Sequence, residues 1–87
     1  MMSIMQKAFI LIHSEPAELW RIANSAMKVE GVKMAYPVTG AFDVIVYAEI
    51  VDMSALGALI EIIHSINGVN RTQTAVVIPS RVERQTS

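Results

Sequence analysis

The chain has 87 residues, a formal net charge of −1 and no cysteine. This length corresponds to one domain, and the lack of thiols excludes disulfides and cysteine-ligated zinc. Its seven Lys and Arg residues are scattered along the sequence, whereas nucleic-acid binding needs basic residues gathered on one face. No apolar run reaches the about 20 residues that span a bilayer. We therefore expect a cytoplasmic protein with neither a nucleic-acid nor a membrane partner.

Apolar residues make up 53% of the chain, and the mean hydropathy is +0.44. A domain this small buries only about 60% of the surface that its unfolded chain exposes. We therefore expect part of its apolar surface to be covered by subunit contacts in a homo-oligomer.

The first half of the chain has the pattern strand, helix, strand. Residues 7–13 are apolar on both faces, which is typical of a central strand. Ser14 is an N-cap residue type, and an apolar stripe at helical spacing follows it. That stripe consists of Leu19, Ile22, Ala23, Ala26 and Met27. Residues 32–38 alternate, and the side chains expected on one face are Val32, Met34, Tyr36 and Val38. Pro37 cannot donate a ladder hydrogen bond, so this strand is predicted to be bulged or at an edge.

The second half repeats the pattern. Residues 43–50 predict another strand that is apolar on both faces, and Asp52 is placed to cap a second helix. Residues 69–78 predict the last strand, which Pro79 ends. We assign residues 1–79 to a single domain and residues 80–87 to a polar C-terminal tail.

The order βαββαβ predicts an α+β, ferredoxin-like fold. Right-handed crossovers would give a four-stranded antiparallel sheet with both helices on one face and the first and third strands in the middle. The other sheet face would be too apolar to remain in water. We therefore expect a dimer in which two sheets pack together in a barrel-like arrangement.

Signals for enzymatic chemistry are weak. His13 and His64 lie on different elements and are not expected to meet, and Ser14, Ser54 and Ser65 lack an adjacent set of a base and a group that orients it. No phosphate-binding glycine loop occurs. Trp20 lies beside the first helix's apolar stripe and is predicted to be in the core or an interface. We expect no enzymatic activity, no metal and no cofactor.

Two glycine-containing stretches carry a resemblance. Val38-Thr39-Gly40-Ala41-Phe42-Asp43 precedes an apolar strand, and Gly68-Val69-Asn70-Arg71-Thr72-Gln73-Thr74 opens the last one. Together with Glu30-Gly31-Val32, these stretches resemble the C-terminal (RAM) domain of Lrp/AsnC transcription regulators. The resemblance implies a ferredoxin-like fold, dimers that assemble into rings, commonly octamers, and amino-acid effectors bound between dimers. Only a few residues precede the first strand, so the sequence is similar to a stand-alone RAM domain without a helix-turn-helix domain.

The resemblance places an effector site at the middle turn and the start of the last strand. A free amino acid needs an acceptor for its ammonium and donors for its carboxylate. An aspartate side chain can supply the acceptor, while turn amides around a glycine and hydroxyl groups can supply the donors. The candidate ligand-binding residues are Thr39, Gly40, Ala41, Asp43, Thr72 and Thr74.

Three interpretations stay open at this stage. The first is a non-enzymatic amino-acid-binding and oligomerisation module that acts in transcription regulation with itself or with full-length Lrp/AsnC-type regulators. The second is a ligand-free assembly module, in which the turn only connects two strands, Asp43 bonds to amides of its own turn and the threonines are ordinary edge-strand residues. The third is a small dimeric ferredoxin-like enzyme, because a fold does not fix a function.

Overall fold

The computed structural model describes residues 5–78 and contains one four-stranded sheet with two α-helices. The strands are β1 (Gln6–Ser14), β2 (Val32–Pro37), β3 (Val44–Ile50) and β4 (Val69–Val76). The helices are α1 (Leu19–Met27) and α2 (Met53–His64), and a short 3₁₀ turn (Pro16–Glu18) precedes α1. All strand pairs are antiparallel in the order β2-β3-β1-β4, which confirms the predicted ferredoxin-like α+β fold. The predicted tail, residues 80–87, lies outside the described residues.

The core lies between the helices and one face of the sheet, called here the helix-covered face. Alternate side chains of the two central strands point into it because strand side chains alternate between faces. The fully buried strand residues are Ala8, Ile10, Ile12, Val44, Val46 and Ala48. Both helices bury one stripe against them, represented by Ile22 on α1 and Ile63 on α2. This packing fixes the register of β1 and β3, since a one-residue slip would expose every core side chain.

The opposite face of the sheet, called here the open face, carries apolar side chains that neither α1 nor α2 covers. Its central members are Phe9, Leu11, Met34, Tyr36, Ile45 and Tyr47. The rings of Phe9 and Tyr47 are 5.2 Å apart between centroids. Tyr36 is 57% exposed and Phe9 39% exposed. A contiguous apolar surface of this kind marks an interaction face in soluble proteins.

The predicted role of Ser14 as a helix cap is wrong. Ser14 is buried as the last residue of β1, where it pairs with Val69 of β4. The chain then enters the 3₁₀ turn, and Glu18, the residue before α1, makes no side-chain cap hydrogen bond. Strand pairing therefore extends over the position where local sequence favoured a cap.

The alternation predicted for residues 32–38 is also partly wrong. Val32 pairs with Ala48, whereas Met34 pairs with the next residue of β3, so Lys33 is the extra residue of a β-bulge. Because a bulge inserts one residue, Val32 packs on the core while Met34 lies on the open face. The edge position and irregularity predicted from Pro37 are confirmed.

The capping role predicted for Asp52 is confirmed, since its Oδ1 accepts a 2.8 Å hydrogen bond from the Ala55 amide. Trp20 is 72% exposed on the first turn of α1, so a core position for this side chain is wrong. Within residues 5–78, no helix has the length and apolar character needed to cross a membrane.

Candidate functional site

The β2–β3 turn is a closed loop fastened to the neighbouring strand. The Val38 amide donates to the Asp43 carbonyl at 2.9 Å, which closes the loop, and the Asp43 amide donates to the Ile12 carbonyl of β1 at 2.8 Å. Gly40 has a φ of +110°, a conformation that L side chains rarely adopt, and its α-carbon faces open space. The loop is therefore held at its base and accessible at its tip.

The tip presents consecutive amide groups without acceptors. Among residues 5–78, no hydrogen bond is donated by the N–H groups of residues 39–42. Amides close together in a turn can form a concave site for an anion such as a carboxylate. The predicted residues Thr39, Gly40 and Ala41 all belong to this tip.

The carboxylate of Asp43 lies at the base of the turn. Its Oδ2 accepts a 2.9 Å hydrogen bond from the Ser14 amide, 29 positions away in the chain. Within the described part of the chain its Oδ1 has no hydrogen-bond partner. The side chain is only partly buried. Asp43 therefore joins β3 to the end of β1 and still offers one carboxylate oxygen to a donor such as an ammonium group.

Phe42 of the turn begins a row of contacts that runs through His13 of β1 to Arg71 of β4. The Phe42 ring lies against the His13 imidazole, with centroids 4.7 Å apart and planes inclined by 54°. The same imidazole contacts β4, since His13 Nε2 is 3.4 Å from Arg71 Nη2. Neither His13 nor Arg71 was predicted to be near the turn. The β1–β3 register ends with Ile12 opposite Val44 and so brings His13 to the turn, and the β1–β4 register pairs His13 with Arg71.

One chain does not bring Thr72 and Thr74 together with the turn. Thr72 pairs with Ile12 on one side of β1, and Val44 pairs with Ile12 on the other. Two strand spacings, roughly 10 Å, therefore separate Thr72 from the start of β3. Both threonines are partly buried on the helix-covered face. A site that used the turn and these hydroxyl groups together would need a second chain.

Potential metal ligands are not grouped in the described chain. Residues 5–78 contain no cluster of three or more His, Asp or Glu side chains arranged to hold an ion.

Comparisons with known proteins identify the family. The family model described as the Lrp/AsnC ligand binding domain matches residues 7–87. The chain belongs to the Lrp/AsnC ligand-binding domain family. It is 30% identical over 76 residues to the HTH-type transcriptional regulator FL11 of Pyrococcus abyssi (strain GE5 / Orsay). These matched residues cover 87% of this chain and 50% of that protein. The chain thus spans about half the length of this regulator.

Two solved structures of similar fold match most of the chain. TTHA0845 from Thermus thermophilus is 25% identical with a TM-score of 0.84, over 91% of this chain and 100% of that one. The transcriptional regulator NMB0573 from Neisseria meningitidis, solved as an L-Met complex, is 26% identical with a TM-score of 0.76. That match covers 94% of this chain and 55% of NMB0573. The Lrp/AsnC domain therefore matches one chain of its own size and part of a longer regulator.

Proposed function

We propose that this Lrp/AsnC domain is a non-enzymatic, cytoplasmic effector-binding and assembly module that acts in transcription regulation. Its effector is a free amino acid or a closely related metabolite, bound at the β2–β3 turn. The observation that carries the proposal is that one turn contains both kinds of group an amino acid needs. Within the described chain, the amides of residues 39–42 have no acceptor and Asp43 Oδ1 has no donor. The family description of a ligand-binding domain supports it, as does the L-Met complex of NMB0573.

The turn offers complementary charges to the two ends of an amino acid. The amides at its tip donate to the α-carboxylate, and Asp43 accepts from the α-ammonium. Thr72 and Thr74 of a neighbouring chain complete the hydrogen bonding at a contact between dimers. Binding that differs between assembly states would shift the population of those states.

The dimer forms by packing of two open faces, and dimers assemble further, up to octamers. The same contacts admit a full-length Lrp/AsnC-type regulator, so the module tunes the regulator's response by forming mixed assemblies. The apolar open face supports this part of the proposal, because exposed surface of that kind needs a partner.

A thermal-shift panel of the free amino acids tests effector binding. A ligand present at about 100 times its dissociation constant adds roughly 2.7 kcal/mol to stability. In a domain of this size that corresponds to a rise of several degrees in Tm. We expect one chemical class of amino acid to produce such a rise.

The informative variant is Asp43→Asn, because alanine would also remove the acceptor of the Ser14 amide. Asparagine keeps a carbonyl oxygen for that amide but loses the charge that pairs with an ammonium. The matched control is Asp52→Asn, which makes the same change at a helix cap where asparagine is equally suitable. The rise in protein Tm that the amino acid causes should disappear in Asp43→Asn and persist in Asp52→Asn. A flat panel for the unmodified protein would contradict effector binding.

The second candidate is a ligand-free assembly module. The hydrogen bond from the Ser14 amide to Asp43 favours it, since that bond alone gives the carboxylate a structural role. This candidate predicts that Asp43→Asn alters neither assembly nor its response to any amino acid.

A further inference from the structure

A second concave site lies at the other end of the sheet from the β2–β3 turn. It is a half-open cleft of about 450 Å³ between α2 and the segment that leads into β2. None of the candidate ligand-binding residues predicted from the sequence lines it. Its volume is in the range of small-molecule sites in proteins, about 300–1,000 Å³.

The cleft is apolar because of the side chains that α2 presents. Ala55 and Ala58 are small residues one turn apart, and they leave space between the helix and the opposite wall. Leu59 and Ile62 continue this wall, and Ile62 is 51% exposed although its side chain is apolar. The space therefore offers an apolar contact surface that the described chain leaves open to a ligand.

The opposite wall approaches the helix at Gly31. A Cβ at this position would lie 3.2 Å from Leu59 Cδ1 and 3.3 Å from the Glu49 carbonyl oxygen. The φ of Gly31 is +98°. Glycine thus lets the backbone pass close to α2 and narrows the cleft beside the first residues of β2.

One cationic side chain lines this apolar space. Lys33 is the extra residue of the β2 bulge, and bulges commonly re-aim a side chain next to a functional site. Lys33 forms no ion pair with any other residue of the part that the structure describes, where Arg21–Glu18 is the ion pair present. Its ammonium group is therefore available to a ligand. Glu30 and Glu49 also line the cleft, and the Glu49 carboxylate accepts a 2.9 Å hydrogen bond from Tyr47, whose side chain lies on the open face. These two acidic residues disfavour a ligand with two negative charges.

We propose that this cleft binds an apolar monocarboxylate, with the carboxylate at the Lys33 ammonium and the hydrocarbon part against Ala58, Leu59 and Ile62. The site differs from the turn in its chemistry, because it needs no ammonium group on the ligand. It is independent of the proposed effector site, from which the length of the sheet separates it.

Calorimetric titration with 4-methylpentanoate tests the proposal. This probe has a branched apolar body and a carboxylate but no amine. We expect saturable binding, weakened about tenfold in Lys33→Gln, since a charge-assisted hydrogen bond contributes roughly one such factor. The matched probe is 4-methylpentan-1-amine, which keeps the apolar body and reverses the charge. It should bind at least tenfold more weakly than the carboxylate.

Two substitutions on α2 distinguish a loss of binding caused by filling the cleft from one caused by general damage to the helix. Ala58→Leu fills the space and should abolish binding. Gly57→Leu adds the same side chain at the preceding residue, which faces open space, and should bind as the unmodified protein does. Asp43→Asn should also bind the probe unchanged, whether or not the turn binds an amino acid.

Three outcomes would overturn the proposal. Absence of saturable binding is the first, and equal binding of the carboxylate and the amine is the second. The third is loss of binding in Asp43→Asn with retention in Ala58→Leu, which would place the probe at the turn. Light scattering on Ala58→Leu distinguishes a further occupant. If this variant forms a smaller assembly than the unmodified protein, and the unmodified protein does not bind the probe, another copy of the chain occupies the cleft.

Discussion

Asp43 makes a hydrogen bond that neither of its two predicted roles includes. The sequence predicted an acidic ligand-binding residue and, as the alternative, a residue that bonds within its own turn. In the structure Asp43 Oδ2 instead accepts from Ser14, a partner 29 positions away that local sequence does not indicate. The cross-strand partner depends on the register of β1 and β3, which packing of the core fixes. The ligand-binding role of Asp43 stays a prediction, and its hydrogen bond to the Ser14 amide could not be predicted because it depends on strand pairing.

Glycine positions with the same backbone conformation should respond differently to substitution. Gly68 and Gly40 have φ values of +100° and +110°. A Cβ on Gly68 would lie 2.9 Å from Arg21 Nη2 and 3.2 Å from Ile22 Cδ1, whereas one on Gly40 meets nothing within 4 Å. Backbone strain of about 1–3 kcal/mol should affect both alanine variants. Contacts with Arg21 and Ile22 should make Gly68→Ala the more destabilising.

Urea denaturation of Gly68→Ala and Gly40→Ala measures this difference. Equal losses of unfolding free energy in the two variants would show that the contacts around Gly68 contribute nothing. Gly57→Ala serves as the control, since this helical glycine lies in open space and alanine there should stabilise by about 0.5–1 kcal/mol.

Tyr47 should make stability depend on pH in the alkaline range. Its partial burial raises the pKa of Tyr47, and the 2.9 Å hydrogen bond to Glu49 and the negative charge of that residue raise the pKa further above the usual 10.0. A pKa that is higher in the folded protein than in the unfolded chain means that folding favours the neutral phenol. This stabilisation is complete below pH 10 and is lost as the pH rises through the folded-state pKa.

Unfolding free energies measured at pH 8 and above pH 10 test this prediction. The unmodified protein should lose more stability over that interval than Tyr47→Phe, which has no phenolic proton. The same pH dependence in both proteins would contradict a role for Tyr47.

The sequence was sufficient to predict which strands and helices exist and their order, but not several of the residues at which they begin and end. Apolar periodicity identified each strand and helix, because burial on one side needs that spacing. Ser14 and Asp52 are both good caps by residue type, yet only Asp52 is free of strand pairing and caps its helix. An irregular or edge strand was predicted from Pro37, but the position of the bulge at Lys33 was not, because it arises from the fit between β2 and β3, which the sequence of β2 alone does not contain.

The N-cap of α2 should contribute measurably to the stability of the protein. Asp52→Ala removes the acceptor of the Ala55 amide and should lower the unfolding free energy by about 1 kcal/mol. Asp52→Ser keeps a side-chain oxygen at the cap and should fall within a few tenths of a kcal/mol of the unmodified protein. Chemical denaturation followed by circular dichroism measures both, and an unchanged midpoint in Asp52→Ala would rule out the cap's contribution.

At the scale of the whole molecule, only part of the candidate site was visible in the sequence. The turn residues are contiguous, so a short motif could reveal them. Thr72 and Thr74 belong to another strand, and the register places them two strands away on the helix-covered face. The cleft beside Lys33 combines residues from four separate segments, and nothing in the linear pattern links them.

The open face should hold the dimer together. Leu11 lies near its centre, and Leu11→Lys would place a charge where two sheets are proposed to pack. Burying that unpaired charge would cost so much free energy that the dimer should not form. We expect this variant to be monomeric by light scattering, while Asn24→Lys on the exposed side of α1 should keep the dimer. A Leu11→Lys variant with the native mass would contradict dimerisation through this face.

Hydrogen–deuterium exchange of the β2–β3 turn tests effector binding most directly. Amides without acceptors exchange rapidly, and a bound carboxylate would give those of residues 39–42 an acceptor. In the presence of the amino acid that raises Tm most, exchange at residues 39–42 should slow in the unmodified protein and remain fast in Asp43→Asn. Unchanged exchange at the turn under saturating amino acid would contradict the proposed effector site.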